Sequence, residues 1–459
     1  FTALTIWSLA YNFWWLTLLP LVLIAVLLLL FSLDTLLLLT IFFTPLSIIT
    51  AQSDFGTSLS IPAEPLMLAI TALFLFRQLY EGGFDKRALF HPLSILIMVN
   101  MVWMAITVIT SDMPLVSAKY LAARFWFVIP FYFVCLQMFR NFNLIKKFIW
   151  LYIIPLLFVI IYSTYELWQA GFDEKLSQSV MTPFYPSHTS YGAVIAMFLP
   201  FVISMIFTKN ASLPVRIASL LILISFCLAI LFSYSRAVWI SLPCAAGLYL
   251  IIIFKIKLRY IALLASITAA VVLINKDDIL MTLEKNKQDS SKEFAENFES
   301  FSNITTDQSN TERLNRWNAA FSMFKERPVF GWGPGTYQFE YAPFQKAKDI
   351  TLISTNAGNL GNAHSEYIGP LAEGGLFGSL TMIFIIGYAI YLGIKLCTSS
   401  INKEARTMAL VVLLGLLTYF AHGFLNNYLD TDKASVPFWG FIAILTALDV
   451  YHSRASSKN

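Results

Sequence analysis

Runs of roughly twenty apolar residues, separated by short polar loops, recur along almost the whole sequence, and a helix needs about that many to cross the hydrocarbon layer of a membrane. Thirteen such runs are centred near residues 14–32, 35–51, 62–80, 93–110, 118–138, 148–168, 191–208, 214–233, 237–254, 260–275, 366–396, 407–428 and 435–451. The expected fold is an all-α polytopic membrane protein with about 12–14 transmembrane helices. Composition agrees, because only 13% of the 459 residues are charged, against roughly 25% in a soluble domain. A net charge of +4, spread over short loops, gives no footing for nucleic acid. Cys135, Cys227, Cys244 and Cys397 have neither paired nor metal-ligand spacing and are expected as small core residues. The chain begins with Phe rather than Met, so no signal peptide is read from its start.

One connection is long. Residues 276–364 hold over a third of the charged side chains and are expected to form an extramembrane subdomain between an N-terminal bundle (1–275) and C-terminal helices (365–459). Lys and Arg in short loops mark the cytoplasmic side. Lys86 and Arg87, then Arg140, Lys146 and Lys147, then Lys209 and Arg216, then Lys255, Lys257 and Arg259, then Lys395, Lys403 and Arg406, and finally Arg454 and Lys458 fall on alternate loops. The loops around Asp54, Asp112, 169–190, and Asp430 with Asp432 therefore face outward, with the long segment. Thirteen runs also put the amino terminus outside.

Ionisable groups inside or at the outer ends of apolar runs are costly and mark function. Arg236, in Ser233-Tyr234-Ser235-Arg236, sits between two runs on the outer side. It is either an anchor to lipid phosphate or a fixed cation for an anionic substrate. Lys119 and Arg124 begin a run on the same side and have the same two readings. In the long loop, Ser309-Asn310-Thr311-Glu312 has capping-box spacing, and Trp317, Ala320, Phe321 and Phe324 recur at helical intervals until Pro328. Arg313 falls in the first turn of that amphipathic helix, where a cation opposes the helix dipole unless an anion is near. A surface position or a pair with Glu312 or Glu326 is the alternative. Gly331-Trp332-Gly333-Pro334-Gly335-Thr336-Tyr337 is a tight turn whose glycines could admit a ligand to backbone amides, with Tyr337 at its end. Of five histidines, His91 and His452 lack polar partners, while His188 opens an outer span. His364 stands where the long loop re-enters the membrane, with the pKa range a general base needs. Glu373 follows inside an apolar stretch, before Gly375 and Gly378, which permit close packing or a break. No clustered ligand set indicates a metal.

Taken together, these features resemble the O-antigen ligase family, which includes O-antigen polymerases and protein O-oligosaccharyltransferases. The pattern is His364-Ser365, nine residues, then Gly375-Leu376-Phe377-Gly378. Ser379 stands where that pattern usually has an apolar residue. Ser235-Arg236 at the head of a span and Arg313-x-x-x-Trp317 leading to Pro328 and Gly333 also fit, over roughly 185–440. The resemblance implies a GT-C-type transferase of the bacterial inner membrane, working without metal or cofactor on its periplasmic face. Its donor is a glycan on undecaprenyl diphosphate, and its acceptor a sugar hydroxyl such as that of lipid A-core. Arg236 and Arg313 are then expected to hold the diphosphate, with His364 as base and inversion at the anomeric carbon. A polymerase of the same family is the nearest alternative, followed by a protein O-oligosaccharyltransferase or a lipid-linked glycan transporter.

Overall fold

A computed structural model describes residues 32–50, 59–173, 176–208, 212–256, 308–346, 350, 354, 361–399 and 402–453. Apart from Ser32, the expected runs at 14–32 and 260–275 lie outside the described residues, as do the loop up to residue 307 and Asp54, Lys209, Lys257, Arg259, Arg454 and Lys458. The chain is an all-α membrane protein. Helix α1 (Leu33–Phe43) leads through a two-stranded antiparallel ribbon, β1 (Ile48–Ile49) with β2 (Ser60–Ile61), into α2 (Ala63–Tyr80). The next spans are α3 (Pro92–Ile109), α4 (Pro114–Met138), α5 (Phe142–Gln169), α6 (His188–Ile206), α7 (Leu213–Phe232) and α8 (Arg236–Ile253). The loop helix α9 (Gln308–Glu326) follows, then α10 (Gly369–Ser399), α11 (Lys403–His422) and α12 (Asp432–His452). Among the described residues, the nine expected runs from 93–110 onward each contain one helix long and apolar enough to span.

Two runs end early, for identifiable reasons. The run at 35–51 stops being helical at Phe43 and closes with a short turn, Thr44–Leu46, because Pro45 supplies no amide and Ile48 pairs with Ile61 in the ribbon. The run at 407–428 leaves the helix after His422. The amides of Tyr428 and Leu429 donate instead to Glu366 Oε1 at 2.8 and 2.9 Å, and the Glu366 amide donates to the Gly423 carbonyl at 2.8 Å. A buried carboxylate that accepts two amides replaces the helical bonds those residues give up.

The centre of the bundle is α12, whose spanning window is 83% buried, whereas α7 and α8, at 22%, face outward. It packs against α6, α10, α11 and a π-helical turn of α4, Ile129–Val134. Asp432 was expected on an outward loop; it is instead 1% exposed at the head of this helix. It pairs with Lys433 at 3.2 Å and accepts from the hydroxyls of Ser47 (2.6 Å) and Ser60 (3.2 Å). Lys433 also donates to the Ser47 carbonyl at 2.8 Å. The pair is therefore satisfied inside the protein, which is the condition for burying it. The cysteines divide. Cys135 and Cys397 are buried as expected, but Cys227 and Cys244 lie exposed on the outward helices α7 and α8, and all four are free.

The loops expected outward meet at one end of the bundle. Arg327 pairs with Asp112 at 2.6 Å, Tyr120 donates to Asp430 at 2.7 Å, and Arg313 donates to the Leu425 carbonyl at 3.2 Å. The basic loops gather at the other end, where Lys395 meets Asp449 (3.2 Å) and Lys146 meets Glu404 (3.6 Å). His91 and His452, expected without polar partners, have them there. His91 faces Asp449 at 3.4 Å and His452 bonds the Phe139 carbonyl at 2.8 Å.

Candidate active site

Helix α10 is broken near its start, and the break shapes the site. Gly375 has φ 65° and ψ −164°, a conformation essentially confined to glycine. The Gly374 carbonyl freed there accepts from Trp103 Nε1 at 2.8 Å, and the Leu376 amide donates to the Pro328 carbonyl at 2.9 Å. A Cβ at Gly375 would lie 2.8 Å from that Pro328 oxygen and closer still to the Val329 carbonyl. The glycine turn 331–337 therefore rests directly on the broken helix. The Trp332 and Gly333 amides donate to the Ala372 and Glu373 carbonyls at 3.0 and 2.8 Å. The Tyr337 amide donates to the Glu373 carboxylate at 3.1 Å. The amides expected to meet a ligand thus meet α10, with Glu373 as their carboxylate. Ser379, the departure from the family pattern, donates to the Tyr367 carbonyl at 2.9 Å and fastens the segment before the break.

Helix α9 covers the expected stretch but begins at Gln308, ahead of the Ser309 expected as its cap, and its buried face is not the expected aromatic stripe. Phe321 is 42% exposed, while Glu312, Asn315, Arg316, Ala319, Ala320 and Met323 are buried. The face is turned because Glu312 and Arg316, four residues apart, satisfy one another at 2.7 Å. Arg316 Nη1 also donates to the Asn362 carbonyl at 2.9 Å, and Ser354 donates to Glu312. Tyr337 is buried beneath them, its hydroxyl donating to the Arg316 carbonyl at 2.8 Å and its ring stacked on Tyr341. Glu312 being taken by Arg316, Arg313 is directed instead to the loop after α11.

His364 lies beside this helix in a left-handed backbone conformation, φ 49°, which is uncommon outside glycine. The Asn362 side chain holds its amide at 3.1 Å. Its imidazole lies near the Asn426 side chain, whose amide contacts His422 Nε2 at 3.3 Å. Burial, then the charges of Arg316 and Arg313, push its pKa down to about 3. The sequence placed His364 in the ordinary histidine range, and its surroundings move it out of that range. It is neutral at physiological pH, with a weak affinity for protons that burial sets first and the two guanidinium groups second, while Glu312 works in the opposite direction. Glu366, two residues on, is pushed up to about 7 by burial and by Asp430.

The other sequence-derived residues divide around this cluster. His188, at the head of α6, is within electrostatic reach of Arg313. Arg236 opens α8 close by, since a Cβ on Gly192 in the first turn of α6 would touch Ser233 Oγ at 3.0 Å. No described contact ties Arg236 to His364. Arg124 lies on the opposite side, donating to the Leu429 carbonyl (3.0 Å), the Tyr120 hydroxyl (2.7 Å) and Asp430 (3.1 Å). Lys119 is exposed on the same helix. Between Arg124 and the 362–366 segment lies a cavity of about 330 Å³, with Asn362, Ser365, Glu366 and Glu373 among its lining residues. His364 is not in that wall although its neighbours are, because its positive φ directs the side chain to the arginine side. Sequence reasoning missed Arg316, Glu312, Glu366 and Asn426. The four-residue spacing of Glu312 and Arg316 was the one legible signal among them.

Residues 220–385, which contain Arg236, Arg313, His364 and the broken helix, match the sequence profile of the O-antigen ligase family. That segment, somewhat over a third of the chain, is similar to the O-antigen ligase family. The chain is also similar to a protein of Haemophilus influenzae (strain Rd) described as uncharacterised, at 25% identity over 311 residues, covering 63% of this chain and 69% of that one. Members of the O-antigen ligase family are membrane proteins that carry glycosyl-transfer chemistry of ligase or polymerase type on lipid-linked glycans.

Proposed function

We propose that this protein transfers a glycan from undecaprenyl diphosphate to a sugar hydroxyl of an acceptor such as lipid A-core, on the periplasmic face of the bacterial inner membrane. The observation that carries the reading is the neutral, half-buried His364 beside Arg313 and Arg316, at the end of the bundle where the loops gather. The acceptor hydroxyl gives its proton to the His364 imidazole as its oxygen bonds the anomeric carbon. The bond from that carbon to the diphosphate oxygen breaks from the opposite face, inverting the centre, and undecaprenyl diphosphate leaves with the electron pair.

Charge grows on the leaving diphosphate, so fixed cations stabilise the transition state more than the ground state. Arg313 and Arg236 serve as those cations, while Arg316, committed to Glu312 and Asn362, positions the His364 segment. An anionic donor beside the arginines also offsets their share of the depression at His364, the larger share being burial. The base strengthens when the donor is bound and stays quiescent otherwise.

The deciding experiment supplies purified protein in lipid with undecaprenyl-diphosphate glycan and either lipid A-core or a second donor molecule. Transfer to the core is the expected product, and chain growth alone would reassign the protein to polymerisation. Absence of both products refutes the transferase reading and points to transport. Activity is expected to survive a strong chelator, and a large loss there would expose a required cation.

A further inference from the structure

Two residues that line the cavity beside the 362–366 segment each carry a buried polar atom that no described residue satisfies. Trp439 Nε1, on a side chain 2% exposed, is a donor, and Asn427 Oδ1 is an acceptor. Buried polar atoms in native proteins are paired, so both call for a ligand group, and a sugar hydroxyl, at once donor and acceptor, matches them. The charge of the lining sets a second condition. Among the described lining residues the one guanidinium, Arg124, is engaged by Asp430, Tyr120 and the Leu429 carbonyl. The carboxyl groups of Glu366, Glu373 and Asp430 outnumber it. Among the described lining residues an anion entering here finds no further cation, in contrast to the arginine cluster across the same segment.

We propose that this cavity seats a sugar residue that is uncharged or carries an amine, through Asn427 and Trp439, and rejects phosphorylated sugars. The inference rests on the glycosyl-transfer reading for the origin of the sugar, which belongs either to the acceptor or to the transferred glycan. Discrimination is expected to be steep, because a site built around hydrogen bonds leaves buried groups unpaired when the ligand lacks the matching hydroxyl.

The test uses the full-length protein in lipid nanodiscs, with lactose, cellobiose and di-N-acetylchitobiose as neutral probes read by saturation-transfer NMR. At least one of them is expected to bind. Glucosamine should displace it, and glucose 6-phosphate only at ten-fold or greater concentration. Trp439→Phe, which keeps the ring and removes the N–H, and Asn427→Ala should each weaken binding about ten-fold in protein whose thermal midpoint matches the wild type. If either variant fails to fold, the other decides. No saccharide binding to the wild type, unchanged affinity in the folded variants, or displacement by glucose 6-phosphate as readily as by glucosamine overturns the proposal. In the transfer assay, a raised KM for the acceptor assigns the sugar to the acceptor, and a raised KM for the donor assigns it to the transferred glycan. Binding is read without turnover, so the cavity can be judged even if His364→Ala retains transfer and the catalytic reading fails.

Discussion

The Glu312–Arg316 pair separates a cation that builds the site from one that binds substrate. Its side chains are 4% and 9% exposed and 2.7 Å apart, so removing one partner strands a buried charge at a cost of about 3–5 kcal/mol. Arg316→Gln also gives up the 2.9 Å bond to the Asn362 carbonyl and the approach to the Tyr341 ring, placing it toward the upper end at about 4 kcal/mol. Glu312→Gln keeps an amide able to meet Ser354 and is expected near 3 kcal/mol. The singles sum to about 7 kcal/mol, yet the double variant leaves two neutral amides that can bond each other. It should lose only about 2–4 kcal/mol, a coupling of roughly 3 kcal/mol or more. Unfolding in mixed micelles measures the four free energies, and the transfer assay on the same samples measures donor KM. The double variant should recover stability and keep a near-normal donor KM, because the diphosphate is assigned to Arg313 and Arg236. Strictly additive destabilisation would refute the pairing, and a large rise in donor KM in the stable double variant would make Arg316 a substrate cation.

His364→Ala should lower kcat about 10²–10⁴-fold while the protein remains folded, and a near-normal rate removes it as the base. Arg313→Ala and Arg236→Ala should each cost on the order of 2 kcal/mol or more in kcat/KM for the donor, whereas equal rates would send Arg236 back to lipid anchoring. Gly375→Ala forces a side chain into a glycine-only conformation and against the Val329 carbonyl, with an expected loss of about 3 kcal/mol or more. Gly387→Ala, with open space at its Cβ, should be nearly neutral, and similar thermal midpoints for the two variants would refute the account of the break. The folded pKa of His364, about 3, lies below its ordinary 6.5, so its contribution is present above pH 6.5 and is lost as pH falls toward 3. Glu366 works in the opposite direction between its ordinary 4.5 and about 7. The informative quantity is therefore the difference between wild type and His364→Gln. The wild type should lose about 1.4 kcal/mol per pH unit relative to the variant between those limits, and a constant difference would contradict the depressed value.

Nine spans were legible because twenty apolar residues in a row have one common solution in a bilayer. The runs ending at residues 51 and 428 misled, since hydropathy cannot register Pro45 or a carboxylate such as Glu366 that draws amides out of a helix from 62 residues away. His364, Arg313 and Glu373 stood out as ionisable groups at membrane boundaries; Glu373 sits at the break of the helix, whereas Arg313 is within electrostatic reach of His364. Arg316 did not stand out, because it sits in a polar helix where charge is unremarkable. Its significance comes from burial, which the period of the aromatic residues misassigned. The depressed basicity of His364 likewise depends on burial in the folded chain and, after that, on two guanidinium groups from a helix about fifty residues earlier.

The buried cluster at the head of α12 bears on how the molecule is put together. Ser47 and Asp432 are 385 residues apart, and α12, the most enclosed span, is the last of the described helices to leave the ribosome. The hydroxyls of Ser47 and Ser60 thus wait for partners that arrive at the end of synthesis, while the earlier helices surround a space that only α12 fills. Consolidation must follow insertion rather than accompany it. A chain halted before residue 432 would expose an unfilled, partly polar seam to lipid, a feature by which quality control in the membrane can tell it from the finished protein.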